Sequence, residues 1–297
     1  MRRPNDTIPF EMKQPAADRL GDYKLIAPLA RGGTAAVYLG EHAGTGERVA
    51  LKILDGYHAN HAAIVERMLA EREVARRVRH SGLLEVHAAD RTDAGLPYLV
   101  MELLDGENLG DLAERGPIQL DAVLAMSAQI AAALRALHAV GYVHCDVKVD
   151  NVFVLYRATA AGWPSIKVID YGVARHVDDP DTDAMIAGTP AYMAPEQWRG
   201  APVLKSDVYG LGCLMYELVT GGQPFQGTLP QLMLAHCHQL AERPSILRSD
   251  VPADLERIIM RALAKEPAMR PSMHELELEL VGILHDRRGR EVLEAAS

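Results

Sequence analysis

The apolar pattern of this chain changes character once, at Asp105-Gly106, and that single change limits the folds open to it. Before it, short β-prone runs alternate with glycine-containing turns: Tyr23–Leu29, Ala36–Glu41, Arg48–Leu54, Leu84–Ala89 and Pro97–Leu103. One helical stretch, about Ala62–Val78, interrupts them, with Ile64, Met68, Val74 and Val78 on one side. After it the reading is helical: Leu120–Ala139, closed by Gly141, then Asp207–Thr220, Pro230–Gln239, Leu255–Ala264 and Met273–Leu284. Between these helices, about Asp170–Glu196 has no steady period, and loops of that length inside a compact domain are usually functional. The expectation is an α+β chain of two lobes, one built on five strands and a helix, the other mainly helical.

With 297 residues, 48% of them apolar, the chain can bury a sizeable core. A net charge of −9 argues against a general nucleic-acid binder, which would carry a basic surface. Cys145, Cys213 and Cys237 lie far apart, so they offer neither a disulfide framework nor a zinc site and fit a reducing compartment. The opening residues have two arginines but no apolar run after them, so no secretory leader is expected. Apolar stretches are broken by polar residues within about a dozen positions, too short to span a bilayer. The expected location is cytoplasmic.

Three segments carry chemistry. Leu29-Ala30-Arg31-Gly32-Gly33-Thr34-Ala35-Ala36-Val37 is a turn between two strands, where small residues let backbone N–H groups approach phosphates. An ordinary hairpin has the same look. Val49-Ala50-Leu51-Lys52 places a lysine in an apolar strand, where a buried ammonium needs a partner. Glu71 is the choice over Glu73, from its spacing to His80, and the two glutamates would point to different faces. The strongest signal runs from Tyr142 to Val154, with His144, Asp146, Lys148 and Asn151 set among apolar residues, and resumes at Lys167-Val168-Ile169-Asp170-Tyr171-Gly172. Phosphoryl transfer needs little covalent chemistry from a protein, only oxygens for metal ions and a group that orients the attacking hydroxyl. Asp146, Asn151 and Asp170 supply such oxygens, and Lys148 can neutralise charge on a moving phosphoryl group.

On these motifs the chain resembles the eukaryotic-type (Hanks-type) serine/threonine protein kinases over about residues 23–284, closest to the bacterial ones. The resemblance implies the bilobal protein-kinase fold, with an N-lobe of five antiparallel strands and one helix at 23–104 and a mainly helical C-lobe at 105–284. Residues 1–22 and 285–297 are then tails. It implies ATP and Mg²⁺, with Mn²⁺ as an alternative ion, and protein substrates bearing Ser or Thr, with no nucleic acid and no membrane insertion. Pairing of two copies or phosphorylation in trans is a further implication. Lys52 and Glu71 would form an ion pair, Asp146 would be the catalytic aspartate, and Asn151 and Asp170 would bind metal. Met101 would be the gatekeeper and Glu102–Leu104 the hinge whose backbone holds the adenine, with Val37, Ala50 and Phe153 against the base and Leu29, Gly32 and Gly33 at the phosphate loop. Glu196 and Arg270 would form a buried salt bridge, and Asp207 would brace the loop at Asp146. Lys148, with Thr189 and Tyr192, gives the Ser/Thr flavour.

The chain departs from the family in two places. Ala30 and Ala35 replace loop glycines, and alanine resists positive φ, so a stiffer loop and weakened turnover are expected. Cys145 replaces the arginine that usually receives an activation-loop phosphate, and a thiol cannot form that bidentate pair. Thr182 stands among Asp178, Asp179, Asp181 and Asp183, where a phosphate would meet like charge. Independence from loop phosphorylation is therefore expected, with Arg175 as the alternative phosphate partner. The same acidic run would attract basic substrates. Two rival readings remain: a pseudokinase that binds nucleotide as a scaffold, and a small-molecule kinase. Retention of Lys52, Asp146 and Asp170 speaks against the first, Ala194-Pro195-Glu196 with Thr189 against the second.

Overall fold

The computed structural model describes residues 19–92, 95–116, 118–178 and 188–295. They divide into two compact units, Met1–Arg72 with Val86–Leu103, and Glu73–Glu85 with Leu104–Ser297.

The first unit is a sheet. Its strands are β1 (Arg19–Leu20), β2 (Tyr23–Arg31), β3 (Ala35–His42), β4 (Arg48–Leu54), β5 (Val86–Arg91) and β6 (Pro97–Glu102), and most of helix α1 (Ala62–Arg77) belongs to it. The order is β1-β2-β3-β4-β6-β5, every neighbour antiparallel. The five strands expected are present, and a sixth joins them. Arg19 and Leu20 pair with Lys24 and Tyr23, so the sheet begins inside the segment taken as a tail. Leu20 explains why, since it is 3% exposed in the cluster of Tyr38, Val49, Leu51, Ile53, Tyr98 and Val100.

Strand alternation fixes which residues face that cluster. Val49, Leu51 and Ile53 enter it, so Ala50 and Lys52 lie on the opposite face of β4. Register places Val37 and Leu99 beside Lys52, and Leu39 and Met101 beside Ala50. Gly40 must be glycine for packing, because a Cβ there would meet Leu51 Cδ1 at 2.5 Å. Pro28 sits in β2 between two register shifts, where a residue without N–H is tolerated.

The second unit is mainly helical. Its helices are α2 (Leu109–Glu114), α3 (Leu120–Ala139), α4 (Leu204–Thr220), α5 (Leu229–His238), α6 (Pro244–Leu247), α7 (Ala253–Ala262) and α8 (Met273–Ala295). Short strands β7 (Gly106–Asn108), β9 (Val152–Ala158) and β10 (Pro164–Val168) make one sheet; β8 (Tyr142–Val143) and β11 (Arg175–His176) make a pair. α3 is long and apolar enough to cross a membrane by length and composition, contrary to the expected break in apolar runs, and 72% of its most apolar 18-residue stretch is buried inside the fold. Its apolarity is that of a core helix, with Leu124, Ile130, Leu134 and Leu137 all fully buried.

α8 extends past residue 284. It runs on through Ala295, because charged residues past that point find partners. Arg287 donates to Asp121, while Arg288 donates to the Ala161 carbonyl and lies 4.5 Å over the Trp163 ring.

Candidate active site

Each unit carries its own constellation. In the first, Lys52 Nζ donates to both carboxylate oxygens of Glu71, at 2.7 and 2.9 Å. Glu71 is 4% exposed and sits on the buried stripe of α1 between Met68 and Val74. Glu73, two residues on, is half-exposed and binds Arg76 at 3.1 Å. The register described above sets Val37, Ala50, Lys52 and Met101 on one sheet face, with Ala50 and Met101 buried. Glu102 ends β6, and Leu29, near the end of β2, is 49% exposed.

Gly32 and Gly33 form the turn between β2 and β3, with Gly32 N–H donating to the Ala35 carbonyl at 2.9 Å. No residue from Leu29 to Val37 has a positive φ. Ala30 and Ala35 are ordinary strand residues, Ala30 paired with Val37 in the β2–β3 ladder and Ala35 with Leu54 in the β3–β4 ladder. The conformational penalty expected of alanine in this turn is therefore not incurred, which removes the reason given for a stiffer loop.

In the second unit, Asp146 is the centre of a hydrogen-bonded group. Its Oδ1 accepts from Thr189 Oγ1 and from Thr189 N–H, both at 2.7 Å. Lys148 Nζ donates to the same Thr189 hydroxyl at 2.7 Å and lies 3.1 Å from Asp146 Oδ2. Asn151 Nδ2 donates to Asp146 Oδ2 at 2.8 Å and to its carbonyl at 2.9 Å. An aliphatic hydroxyl is thus held between one carboxylate and one ammonium.

Asp207 holds the backbone of this loop. Its oxygens accept from the N–H groups of His144 and Cys145 at 2.8 and 2.9 Å, and His138 Nε2 lies 2.8 Å away. The clamp fixes Cys145 at φ 66°, a left-handed conformation that costs about 1–3 kcal/mol for a side-chain-bearing residue unless its surroundings enforce it. Gln197 adds to it, donating to the Cys145 carbonyl at 2.7 Å while accepting from Ala194 N–H. The Cys145 thiol is buried and donates to the Val143 carbonyl; burial first, then nearby Asp207, raises its pKa well above the usual thiol range. Arg175 lies close enough to act in the opposite direction. Thr182, Asp179, Asp181 and Asp183 lie outside the described residues.

Asp170 also has a positive φ, 67°, and accepts from Gly172 N–H at 3.2 Å. Tyr171 after it is buried and donates to the Leu84 carbonyl at 3.2 Å, which fixes the turn from behind. The donor set suits a hard divalent cation. Asn151 spends its Nδ2 on Asp146, which leaves Oδ1 without a hydrogen-bond donor among the described residues. No group of three or more His, Cys, Asp or Glu that could hold a metal occurs among them. One carboxylate and one amide oxygen, from Asp170 and Asn151, match Mg²⁺, which keeps waters and takes its remaining ligands from phosphates. Phe153 is half-buried in β9 and Leu104 is half-buried ahead of β7.

A separate brace lies beneath this loop. Arg270 donates to Glu196 at 2.6 and 2.9 Å, and to the carbonyls of Ala264, Lys205 and Lys265 at 2.7, 2.9 and 2.9 Å. Ser206 Oγ donates to Glu196 Oε1 at 2.6 Å. Nearby, Tyr192 donates to Glu217, and burial together with that carboxylate raises the phenol's pKa. Asp111, Glu114, Asp150, Tyr192, Glu217 and Arg248 are among the residues around a cavity of about 820 Å³.

His138, Gln197, Ser206 and Glu217 were not legible as site residues. Each acts on a partner far away in sequence, and none has a local pattern of its own.

A family model described as the protein kinase domain matches residues 23–279. The chain belongs to the protein kinase family. It is 41% identical over 258 residues to serine/threonine-protein kinase Pkn1 of Myxococcus xanthus, covering 85% of this chain and 36% of that protein. Serine/threonine-protein kinase PkaA of Streptomyces coelicolor is 41% identical over 271 residues, covering 86% of this chain and 48% of that protein. PknD of Mycobacterium tuberculosis is 34% identical over 258 residues, covering 85% and 38%. The chain spans between a third and a half of the length of these relatives.

Proposed function

We propose that the chain is an ATP- and Mg²⁺-dependent serine/threonine protein kinase. The observation that carries this reading is the Thr189 hydroxyl, held at 2.7 Å from both Asp146 Oδ1 and Lys148 Nζ. A side-chain hydroxyl of a Ser or Thr substrate has the same chemistry. Asp146 would accept its proton as the oxygen attacks, and Lys148 would offset charge on the transferred group. Asn151, tied to Asp146, and Asp170 would hold Mg²⁺, which when bound neutralises phosphate charge. Lys52, oriented by Glu71, would hold ATP phosphates, with Gly32 and Gly33 offering backbone N–H groups. In the first unit, Val37, Ala50, Met101 and Glu102 are the proposed adenine-side residues, with Leu29 at the proposed phosphate loop; in the second unit they are Leu104 and Phe153. The similarity to serine/threonine-protein kinases Pkn1 and PkaA supports the Ser/Thr assignment. The carboxylates at the 820 Å³ cavity support a preference for basic substrates.

Activity without loop phosphorylation is part of the proposal, supported by a neutral, buried thiol at Cys145 where a phosphate partner would stand. Arg175 beside Cys145 favours the second reading, in which it receives the phosphate instead.

The test is transfer from ATP and Mg²⁺ to a generic basic protein, with mass spectrometry locating the product. Asp146→Asn should lower the rate by about 10²–10⁴-fold with the fold intact. ATP binding with no transfer to protein would sink the reading in favour of a nucleotide-binding scaffold. Thr182→Ala should leave activity unchanged; its loss, with rescue by Thr182→Glu, would favour the Arg175 reading.

A further inference from the structure

The turn that leads into α1 carries the sequence Asp55-Gly56-Tyr57-His58-Ala59-Asn60-His61, all within the first unit. Residues His58–Asn60 form one 3₁₀ turn, and the His61 carbonyl accepts from the N–H groups of Ile64 and Val65 in the first turn of α1. The two imidazole rings lie 6.3 Å apart between centroids.

Partner chemistry fixes the proton on each ring. His58 Nδ1 is 2.8 Å from Asp55 Oδ1, and a carboxylate only accepts. His61 Nδ1 is 3.1 Å from the Tyr57 carbonyl, which also only accepts. Both rings therefore donate from Nδ1, and the neutral imidazole keeps its lone pair on Nε2. Neither Nε2 has a partner among the described residues. The contrast is with His42, His80, His144 and His176, whose Nδ1 atoms accept from backbone N–H groups. Those rings carry their proton on Nε2 when neutral and offer no lone pair there.

We infer that His58 and His61 form a two-histidine site for a borderline divalent transition ion, Zn²⁺ in the first instance, bound through both Nε2 atoms. Imidazole suits this class of ion, and a ligating ring typically donates its other N–H to a carboxylate or backbone carbonyl, as both rings do here. Two imidazoles on one tetrahedral Zn²⁺ at 2.0–2.1 Å bring their centroids to about 5.2 Å. Closing the site takes about 1 Å of approach between the centroids and rotation of both Nε2 atoms towards one point, a side-chain movement open to the rings because His61 is exposed and His58 has 22% of its side chain exposed. Water completes the coordination. The N-terminal end of α1 opposes a cation, and the Asp55 carboxylate offsets it. A bound ion would tie the 3₁₀ turn to the start of the helix that carries Glu71.

The test is titration of the full chain with Zn²⁺ alone, in excess Mg²⁺, which prefers oxygen ligands, and without nucleotide. Zn²⁺ should bind saturably and weaken at least about tenfold in His58→Ala and in His61→Ala. Asp55→Asn, a positioning change, should weaken it about tenfold, and the exposed His87→Ala should leave it unchanged. Nitrogen NMR should show ligation at Nε2 of both rings. Equal Zn²⁺ affinity in the parent and in a His58→Ala/His61→Ala double variant would overturn the site, as would ligation at Nδ1. Since binding is read with no phosphoryl transfer, this result stands apart from the fate of the kinase reading.

Discussion

Two ion pairs in this molecule use similar chemistry for different ends. Glu196 and Arg270, in the second unit, are sealed: the guanidinium is fully buried, and all of its N–H donors are directed at Glu196 or at carbonyls. Lys52 and Glu71, in the first unit, are not: Glu71 is buried, but the lysine side chain keeps 19% of its surface open. A sealed pair with every donor used can only hold segments together. A pair whose cation stays accessible holds that cation in place for something else.

Breaking the sealed pair should have the largest effect on the fold. Arg270→Met leaves Glu196 buried and half-satisfied, a class of change that costs about 3–5 kcal/mol. Chemical denaturation should register it as a lower midpoint with an unchanged slope. Adding Glu196→Leu should recover much of the loss, since an apolar pair is often as stable as a buried ionic one. If Arg270→Met were neutral, the distinction between the pairs would collapse.

Lys52→Met should behave in the opposite way. Phosphoryl transfer should fall about 10²–10³-fold, the scale for losing one electrostatic donor at a reacting site. The melting temperature should move far less than for Arg270→Met, because the lysine is partly solvated already. Calorimetry beside a transfer assay separates the two effects.

A third prediction concerns pH and probes the second unit alone. His236 is fully buried, and desolvation lowers its pKa to about 4 from 6.5. The unfolded chain binds this proton sooner, so its contribution to stability is complete above about pH 6.5 and is lost as pH falls towards 4. The slope is at most about 1.4 kcal/mol per pH unit. Melting curves of His236→Gln and the parent between those limits should converge in their pH dependence only where the histidine has stopped titrating. Identical slopes throughout would show that this group does not matter.

What was legible in sequence follows from range. Lys52 could be read because a lysine inside an apolar strand is a local anomaly, and Glu71 because its spacing to His80 is local too. Asp146, Asn151 and Asp170 stood out as polar residues among strand-like neighbours. By contrast, the His138–Asp207 contact spans 69 residues, and the Gln197–Cys145 contact spans 52, so neither leaves a local trace. β1 has two residues and no period to detect. The last part of α8 reads as a charged tail until Asp121 and Trp163 are seen beneath it. Histidine tautomers at the turn before α1 depend on partners no sequence reveals.

The smallest expected effect returns to the strand pair that leads to Lys52. Sequence reasoning assigned Ala30 and Ala35 a handicap on the ground that the turn needs positive φ. The turn has none, and Ala35 is buried at the start of β3 with Leu54 opposite it. Ala35→Gly therefore has no strain to relieve. It should cost up to about 1 kcal/mol in stability, the penalty for glycine in a strand, and should change phosphoryl transfer by less than about twofold. A melting curve and a Michaelis constant for ATP measure the two. A marked gain in transfer would mean that the loop must reach a left-handed conformation during turnover, and Lys52 would then share its task with a moving backbone instead of standing on a fixed one.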